Sequence, residues 1–290
     1  MKPLAFPQHP PERSNQRMTT QAEKAEAFRA LHERNSAFII PNPWDAGTAR
    51  VLSHLGFEAL ATTSMGYAFS LGRRDNTLNR AESLAYASAI VSATDLPVSA
   101  DLENGFGDDP RVVAETIRHA ADAGLVGGSI EDATGRPDDP IYEMEHAVER
   151  VRAAFEAARA LPFRFTLTAR AENYLHGRPD LRDTIKRLQG FQEAGADVLY
   201  APGLASKDDI VRVVRSVDRP VNVVMGLRGA QLSVAELSAI GVKRISVGSA
   251  LYRTALAVFL DAAREMREQG TFTFAQRAVS PLELNSIFGE

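Results

Sequence analysis

The sequence contains no cysteine. Disulfides, thiolate metal sites and a cysteine nucleophile or acid are therefore excluded. No apolar run approaches the roughly 18 residues needed to span a bilayer, so no membrane-crossing helix is expected. Neither sign of charge is in large excess. A net charge of −4 gives no electrostatic reason to expect nucleic acid or an anionic membrane as partner. The first residues lack the apolar centre of a secretory signal: residues 1–21 hold prolines and charges and read as a flexible or partner-packed arm. These absences fit a cytoplasmic protein. What is present, 44% hydrophobic and 24% charged residues, is the composition of a soluble globular chain.

Short apolar runs recur at 37–41, 59–64, 97–103, 127–132, 165–172, 198–202, 221–225 and 244–248. Each is followed by a segment of helical periodicity, at 46–55, 81–94, 110–123, 142–161, 181–194, 207–217, 233–240 and 249–269. Continuously apolar strands are those buried on both faces, as in a parallel sheet. Asp109-Pro110 reads as a helix cap followed by proline at the first helical position, and Gly124 and Gly195 read as helix stops. Strand and helix alternate with no break in composition. The expectation is one domain over 1–290, a (β/α)₈ barrel, with a doubly wound open sheet as the competing arrangement. A further helical stretch at 22–34 is expected to cap the lower mouth of the barrel. The apolar residues of 272–290 form a helical tail in need of a surface to cover, which a second copy of the chain would supply.

Barrel active sites lie at the C-terminal ends of the strands, and polar residues collect there. The third run ends in Asp101 and Glu103 and then breaks at Gly105 and Gly107. Two residues apart on a strand, both carboxylates would point to one side. They are either a solvated acidic turn or a pair that needs a shared proton or a cation such as Mg²⁺ or Mn²⁺. Other runs end in Thr63-Ser64-Met65-Gly66, in Glu131, in Arg170, in Tyr200 and near Asn222. Arg170 offers a forked cation for a substrate carboxylate, or a structural ion pair with these acids. The amides of 63–66 offer oxyanion donors, or an ordinary turn. His176 reads as a loop histidine and Trp44 as packing at the barrel rim.

The ordered set Thr63-Ser-Met-Gly, Gly72-Arg-Arg-Asp75, Asp101-Leu-Glu-Asn-Gly-Phe-Gly107, Ile130-Glu-Asp132, Thr168-Ala-Arg170 and Val247-Gly-Ser249 resembles the isocitrate lyase/phosphoenolpyruvate mutase superfamily. The resemblance runs from Pro41 to about Ala255. It implies a (β/α)₈ barrel with a Mg²⁺-dependent site for small 2-oxo or 2-hydroxy acids, in which C–C or C–P bonds are made or broken through an enolate. It implies metal-site acids at Asp75, Asp101, Glu103 and Glu131, and substrate contacts at Thr63, Ser64, Met65 and Arg170. Asn222 joins the substrate contacts by its place on the seventh strand, and Arg170 and Glu131 are the expected catalytic pair. The family also implies a homo-oligomer, dimer or tetramer, with an exchanged C-terminal helix.

One segment departs from that pattern. The family's lyases carry a cysteine acid in a mobile loop after the fourth strand, and its mutases a lysine with an Asn-Ser pair. Here the loop reads Ala133-Thr-Gly-Arg-Pro-Asp-Asp-Pro-Ile141, with neither cysteine nor lysine. Decarboxylating a 3-carboxy-2-oxo acid needs a metal and an oxyanion site but less acid–base machinery than cleaving a 2-hydroxy acid. The first expectation is thus a Mg²⁺-dependent lyase that cleaves or decarboxylates a small carboxylate. A C–P or C–C hydrolase on the same scaffold is the second, and a non-catalytic 2-oxo acid binding protein the third. Should a side chain replace the missing acid, Tyr67, Asp139, Glu172 and His176 are the candidates.

Overall fold

The computed structural model describes residues 19–226 and 231–289. Eight parallel strands form one sheet in the order β1-β8-β7-β6-β5-β4-β3-β2. They are β1 Phe38–Ile40, β2 Leu60–Ala61, β3 Val98–Asp101, β4 Gly127–Glu131, β5 Thr166–Arg170, β6 Val198–Tyr200, β7 Val221–Val224 and β8 Arg244–Ser246. The ring is completed between β2 and the end of β1, where the Ala61 amide donates to the Pro41 carbonyl at 3.0 Å. The fold is therefore the (β/α)₈ barrel, and the open doubly wound sheet is ruled out.

Helices α2 Ala46–His54, α4 Arg80–Ser92, α5 Pro110–Asp122, α6 Met144–Arg159, α7 Leu181–Glu193, α8 Lys207–Arg215, α9 Val234–Ala239 and α10 Ala250–Gln269 alternate with the strands. Counting in chain order, α1 is Gln21–Glu33, α3 is Ser64–Ser70 and α11 is Pro281–Phe288. Local chemistry sets these boundaries. Asp109 accepts from the Arg111 amide and Pro110 opens α5, as the sequence predicts. On α5 the buried positions Val113, Ile117 and Ala120 share one stripe against the barrel wall. Each large aliphatic buried this way stabilises the fold by about 1.5–3 kcal/mol.

Two expectations need adjustment. The arm predicted over 1–21 gives way to helix by Gln21, because Thr20 and Glu23 form a capping box and Gln21 donates to the Ala121 and Leu125 carbonyls. The rest of that arm, 1–18, lies outside the described residues. The Ser-Met-Gly stretch is not a turn but the first turn of α3, capped by Thr63.

Helix α1 seals the N-terminal mouth of the barrel. Phe28 packs with Phe38, Ile40, Ala59 and Val126 in a cluster of its own. Gly127 makes this approach feasible: a Cβ there would lie 2.9 Å from the Phe28 ring and 3.0 Å from the Thr166 carbonyl. At the other end of the chain α11 lies along α2, with Arg50 donating to the Phe288 carbonyl at 2.8 Å. No residue of α10 or α11 is buried, and Phe259, Phe272 and Leu282 are 65%, 66% and 82% exposed. Among the described residues no helix is long and apolar enough to cross a membrane.

Candidate active site

A cavity of about 490 Å³ opens at the C-terminal ends of the strands. Thr63, Ser64, Met65, Asp75, Asp101, Glu103, Glu131, Arg170 and Asn222 all line it. The barrel thus brings together side chains contributed by five of its strand ends and by the loop after α3.

Arg170, at the end of β5, is the hub. Its Nη1 donates to Asp101 Oδ1 at 2.8 Å and its Nε to Glu172 Oε1 at 2.8 Å, while Nη2 lies 3.2 Å from Glu131 Oε2. Its guanidinium also sits over the Tyr200 ring, 5.2 Å from the centroid. Burial works against the Arg170 cation, but Glu172, Glu131 and Asp101 together outweigh it and hold it charged. Glu172, considered in the sequence only as a substitute acid, is therefore a principal partner of the expected clamp. Ser64 Oγ donates to the Asp101 carboxylate at Oδ2, 2.8 Å away, and the Asp101 backbone amide donates to Thr62 Oγ1 at 2.9 Å.

Glu103 reaches the cavity by a different route from the one its spacing suggests. Strand β3 ends at Asp101, and Glu103 has φ +48°, so a left-handed turn rather than the strand pleat aims it. Among the described residues the non-glycines with positive φ are Asn76, Glu103 and Phe106. All lie in the two loops that carry Asp75 and Glu103. Such backbone costs of order 1–3 kcal/mol per residue and persists where surrounding structure enforces it. Gly105, at φ +77°, completes the turn where a side chain would be strained. Arg150 of α6 enforces this geometry from beneath. Its Nη1 donates to the carbonyls of Gly107 at 2.6 Å and Asp108 at 2.9 Å, its Nη2 to that of Asn104, and it stacks on Tyr142.

The electrostatics are one-sided. Asp75, Asp101, Glu103, Glu131 and Glu172 share one cavity with three guanidiniums, of which Arg170 pairs with Asp101, Glu131 and Glu172 while Arg244 and Arg253 pair with none of the five. Burial, with help from Asp101 and Asp75 and against Arg170, pushes the Glu103 carboxyl up to about 8. Burial raises Glu131 well above its usual range, and burial likewise raises Asp75. Glu103 Oε1 is buried without a hydrogen-bond partner. These acids need a cation or retained protons. Among the described residues no three of them converge tightly enough to ligate one ion directly. A hydrated cation fits the arrangement: Mg²⁺ keeps several waters and is commonly held by one or two carboxylates. The orphaned oxygen of Glu103, with Asp101 and Asp75 beside it, suits that role, and Asp101 and Glu131 are also engaged by Arg170.

Next to Asp101 the amides of Ser64 and Met65 open α3, where backbone N–H groups have no partner within the helix. The Thr63 and Gly66 amides are already engaged, by the Tyr86 hydroxyl at 3.3 Å and by Thr63 Oγ1 at 3.2 Å. Asn222 sits deeper than a substrate contact at the mouth would. Its Nδ2 donates to Ser246 Oγ at 3.0 Å, and its Oδ1 accepts from Arg244 Nε at 2.9 Å. Tyr67 stacks on Tyr86, and Trp44 packs edge-on against Tyr252. His176 lines the cavity. Segment 133–141 folds back on itself through an Ala133–Ile141 bridge and is pinned to the Glu103 turn by Arg136 and Asp108 at 2.7 Å. None of its residues lines the cavity. Arg150, Arg244 and Arg253 were missed in the sequence, since an arginine inside a helix or strand carries no local mark of what it faces.

The profile of the phosphoenolpyruvate phosphomutase family matches residues 28–267. The chain belongs to the isocitrate lyase/phosphoenolpyruvate mutase superfamily. It is 30% identical to the 2,3-dimethylmalate lyase of Eubacterium barkeri, over 75% of this chain and 77% of that one. It is 29% identical to the oxaloacetate decarboxylase of Chromohalobacter salexigens, over 83% of this chain and 84% of that one. A lyase/mutase-type protein of known crystal structure from Burkholderia cenocepacia is 65% identical, with a TM-score of 0.92, over 93% of this chain and 97% of that one.

Proposed function

We propose that the chain is a Mg²⁺- or Mn²⁺-dependent carbon–carbon lyase that cleaves or decarboxylates a small 2-oxo or 2-hydroxy carboxylate through an enolate, in the cytoplasm. The observation that carries this reading is that, of five cavity carboxylates, Asp101, Glu131 and Glu172 are paired with a guanidinium, Arg170, while the buried Glu103 Oε1 has no partner. Relatives named for 2,3-dimethylmalate and oxaloacetate support the substrate class.

When bound by Asp75, Asp101 and Glu103, the cation would supply Lewis-acid polarisation of the 2-oxo oxygen. The protein does the rest. Arg170, held by Glu172 and Glu131, orients the substrate carboxylate through its planar fork. When a 2-oxo acid is decarboxylated, the electron pair of the breaking C–C bond moves into the 2-oxo system; when a 2-hydroxy acid is cleaved, the hydroxyl gives up its proton to become the carbonyl and the pair leaves with the departing carboxylate fragment as its enolate. The Ser64 and Met65 amides then face the developing oxyanion. In decarboxylation CO₂ leaves, and a proton from water ends the sequence at carbon. The exposed apolar residues of α10 and the tail support a homo-oligomer, dimer or tetramer, which light scattering on the full chain would count.

The test is steady-state turnover of a small-acid panel containing oxaloacetate and 2,3-dimethylmalate, with Mg²⁺ and then with EDTA. Pyruvate release is expected only with the metal, and Asp101→Ala should lower it by orders of magnitude while the circular dichroism spectrum is kept. Turnover that survives EDTA would remove the metal from the reading. Phosphate release from phosphonopyruvate would favour the hydrolase, and tight binding of 2-oxo acids without turnover the binding protein.

A further inference from the structure

Barrels of this type usually fill their interior with branched aliphatic side chains. This one does not. Below the acids, Ser99, Ser129, Asn222 and Ser246 line the cavity, and Arg244 contributes to its floor. The Arg244 guanidinium is fully buried and its partners are neutral. Nε donates to Asn222 Oδ1 at 2.9 Å, Nη2 to Thr168 Oγ1 at 2.9 Å, and Nη1 lies 3.5 Å from His32 Nε2. His32 Nδ1 is 2.8 Å from the Phe28 carbonyl, which can only accept, so Nδ1 carries the hydrogen and Nε2 presents its lone pair to Arg244. Burial first, then Arg244 itself, hold His32 down at about 3, so the ring is neutral. These contacts occupy three of the five N–H groups of a guanidinium. Among the described residues no carboxylate pairs with Arg244. The acids above it are gathered around Arg170. Burial lowers Arg244 to about 10, which leaves it cationic at neutral pH. A buried charge without a counter-ion is destabilising, and here it stands at the edge of a solvent-reachable cavity.

We propose that Arg244 is an anion site inside the barrel, seating one carboxylate beneath the acid cluster. Thr168, which Arg244 touches, precedes Arg170 by two residues on β5, a step of about 6.6 Å along the strand. A four-carbon diacid held by its 2-oxo or 2-hydroxy end at Arg170 covers that step, and its far carboxylate then meets Arg244. A free small carboxylate is the other source of the same chemistry. The diacid arm rests on the function proposed above; the free-anion arm does not.

The experiment compares wild type, Arg244→Met and Arg244→Lys. Replacing a buried charge by a volume-matched apolar residue is often neutral or stabilising, so the Met variant is expected to fold, and the Lys variant keeps the charge if it does not. Racemic lactate and racemic malate, which differ by one carboxylate, are titrated calorimetrically with Mg²⁺ saturating, and sodium formate without metal. Malate is expected to bind wild type at least tenfold more tightly than lactate. Arg244→Met should erase that preference and leave lactate unchanged, with Arg244→Lys in between. Equal malate and lactate affinities together with saturable formate binding that Arg244→Met abolishes would assign the site to a free anion. If lactate fails to bind wild type while formate still depends on Arg244, the proposed function falls and the anion site stands. No malate preference and no Arg244-dependent formate binding overturns the inference.

Discussion

Mg²⁺ binding at the acid cluster is expected to release a proton, and Glu103 is its source. Burial, then Asp101 and Asp75, raise this carboxyl from 4.5 to about 8, with Arg170 opposing. A raised acid keeps its proton in the fold at pH values where the unfolded chain has lost it. Between pH 4.5 and about 8 the native state therefore binds more protons, and the stability of the metal-free protein falls as pH rises, by about 1.4 kcal/mol per pH unit. Across the whole window the loss is on the order of 5 kcal/mol, and above it the curve levels off. A cation reverses the effect by giving the ionised carboxylate a partner, but it must first displace the proton. Each pH unit below about 8 should thus weaken Mg²⁺ binding by up to tenfold. Calorimetry in paired buffers of different ionisation enthalpy counts the protons released: about one near neutrality, and none well above pH 8. Glu103→Gln should abolish the release and flatten the metal-free melting temperature over the same range. Equal Mg²⁺ affinity at pH 6 and pH 8 in wild type would refute the reasoning.

Arg170→Lys keeps the charge and loses the fork, so binding of pyruvate or oxalate with Mg²⁺ saturating should weaken by ~1.5–3 kcal/mol; equal affinities would leave Arg170 as the internal counter-charge of Asp101, Glu131 and Glu172. Arg150→Met strands the carbonyls of Asn104 and Gly107, while that of Asp108 keeps His146 Nε2, and at about 1–3 kcal/mol for each buried acceptor left unpaired it should cost at least ~2 kcal/mol in urea unfolding. It should also weaken Mg²⁺ binding, since Arg150 holds the turn that aims Glu103; unchanged metal affinity in the folded variant would confine Arg150 to stability.

The barrel was legible because its strands are buried on both faces and so appear as plain apolar runs, and because caps such as Asp109-Pro110 mark where helices begin. The site was legible as a set of polar residues at successive strand ends, since closing the ring leaves them nowhere else to converge. Direction and depth were not. Glu103 is aimed by a left-handed turn held from α6, a long-range effect with no local signature. Asn222 looks like a mouth residue in an apolar strand, yet its amide belongs to a network completed 22 and 24 residues later by Arg244 and Ser246. Ser64-Met-Gly reads as a turn because glycine and serine favour turns, and Thr63 capping turned it into a helix start instead. Arg244 reads as an ordinary strand end until the ring and α1 enclose it.

The plug at the lower mouth also bears on how the chain folds during synthesis. His32 and Arg244 meet across 212 residues, and Lys243 reaches the Arg34 carbonyl across 209. The contacts that close the floor are therefore among the most non-local in the molecule, and loop-closure entropy delays them. On the ribosome α1 and β1 emerge long before the strand that must pair with them. Until β8 arrives, β1 lacks its hydrogen-bonded neighbour and the sheet has open edges, the form most prone to pair with other chains. The late strand also carries the cation that the finished barrel encloses. Ring closure and the burial of Arg244 are then one event, and a nascent chain stalled before β8 is expected to be a substrate for chaperones rather than a smaller working barrel.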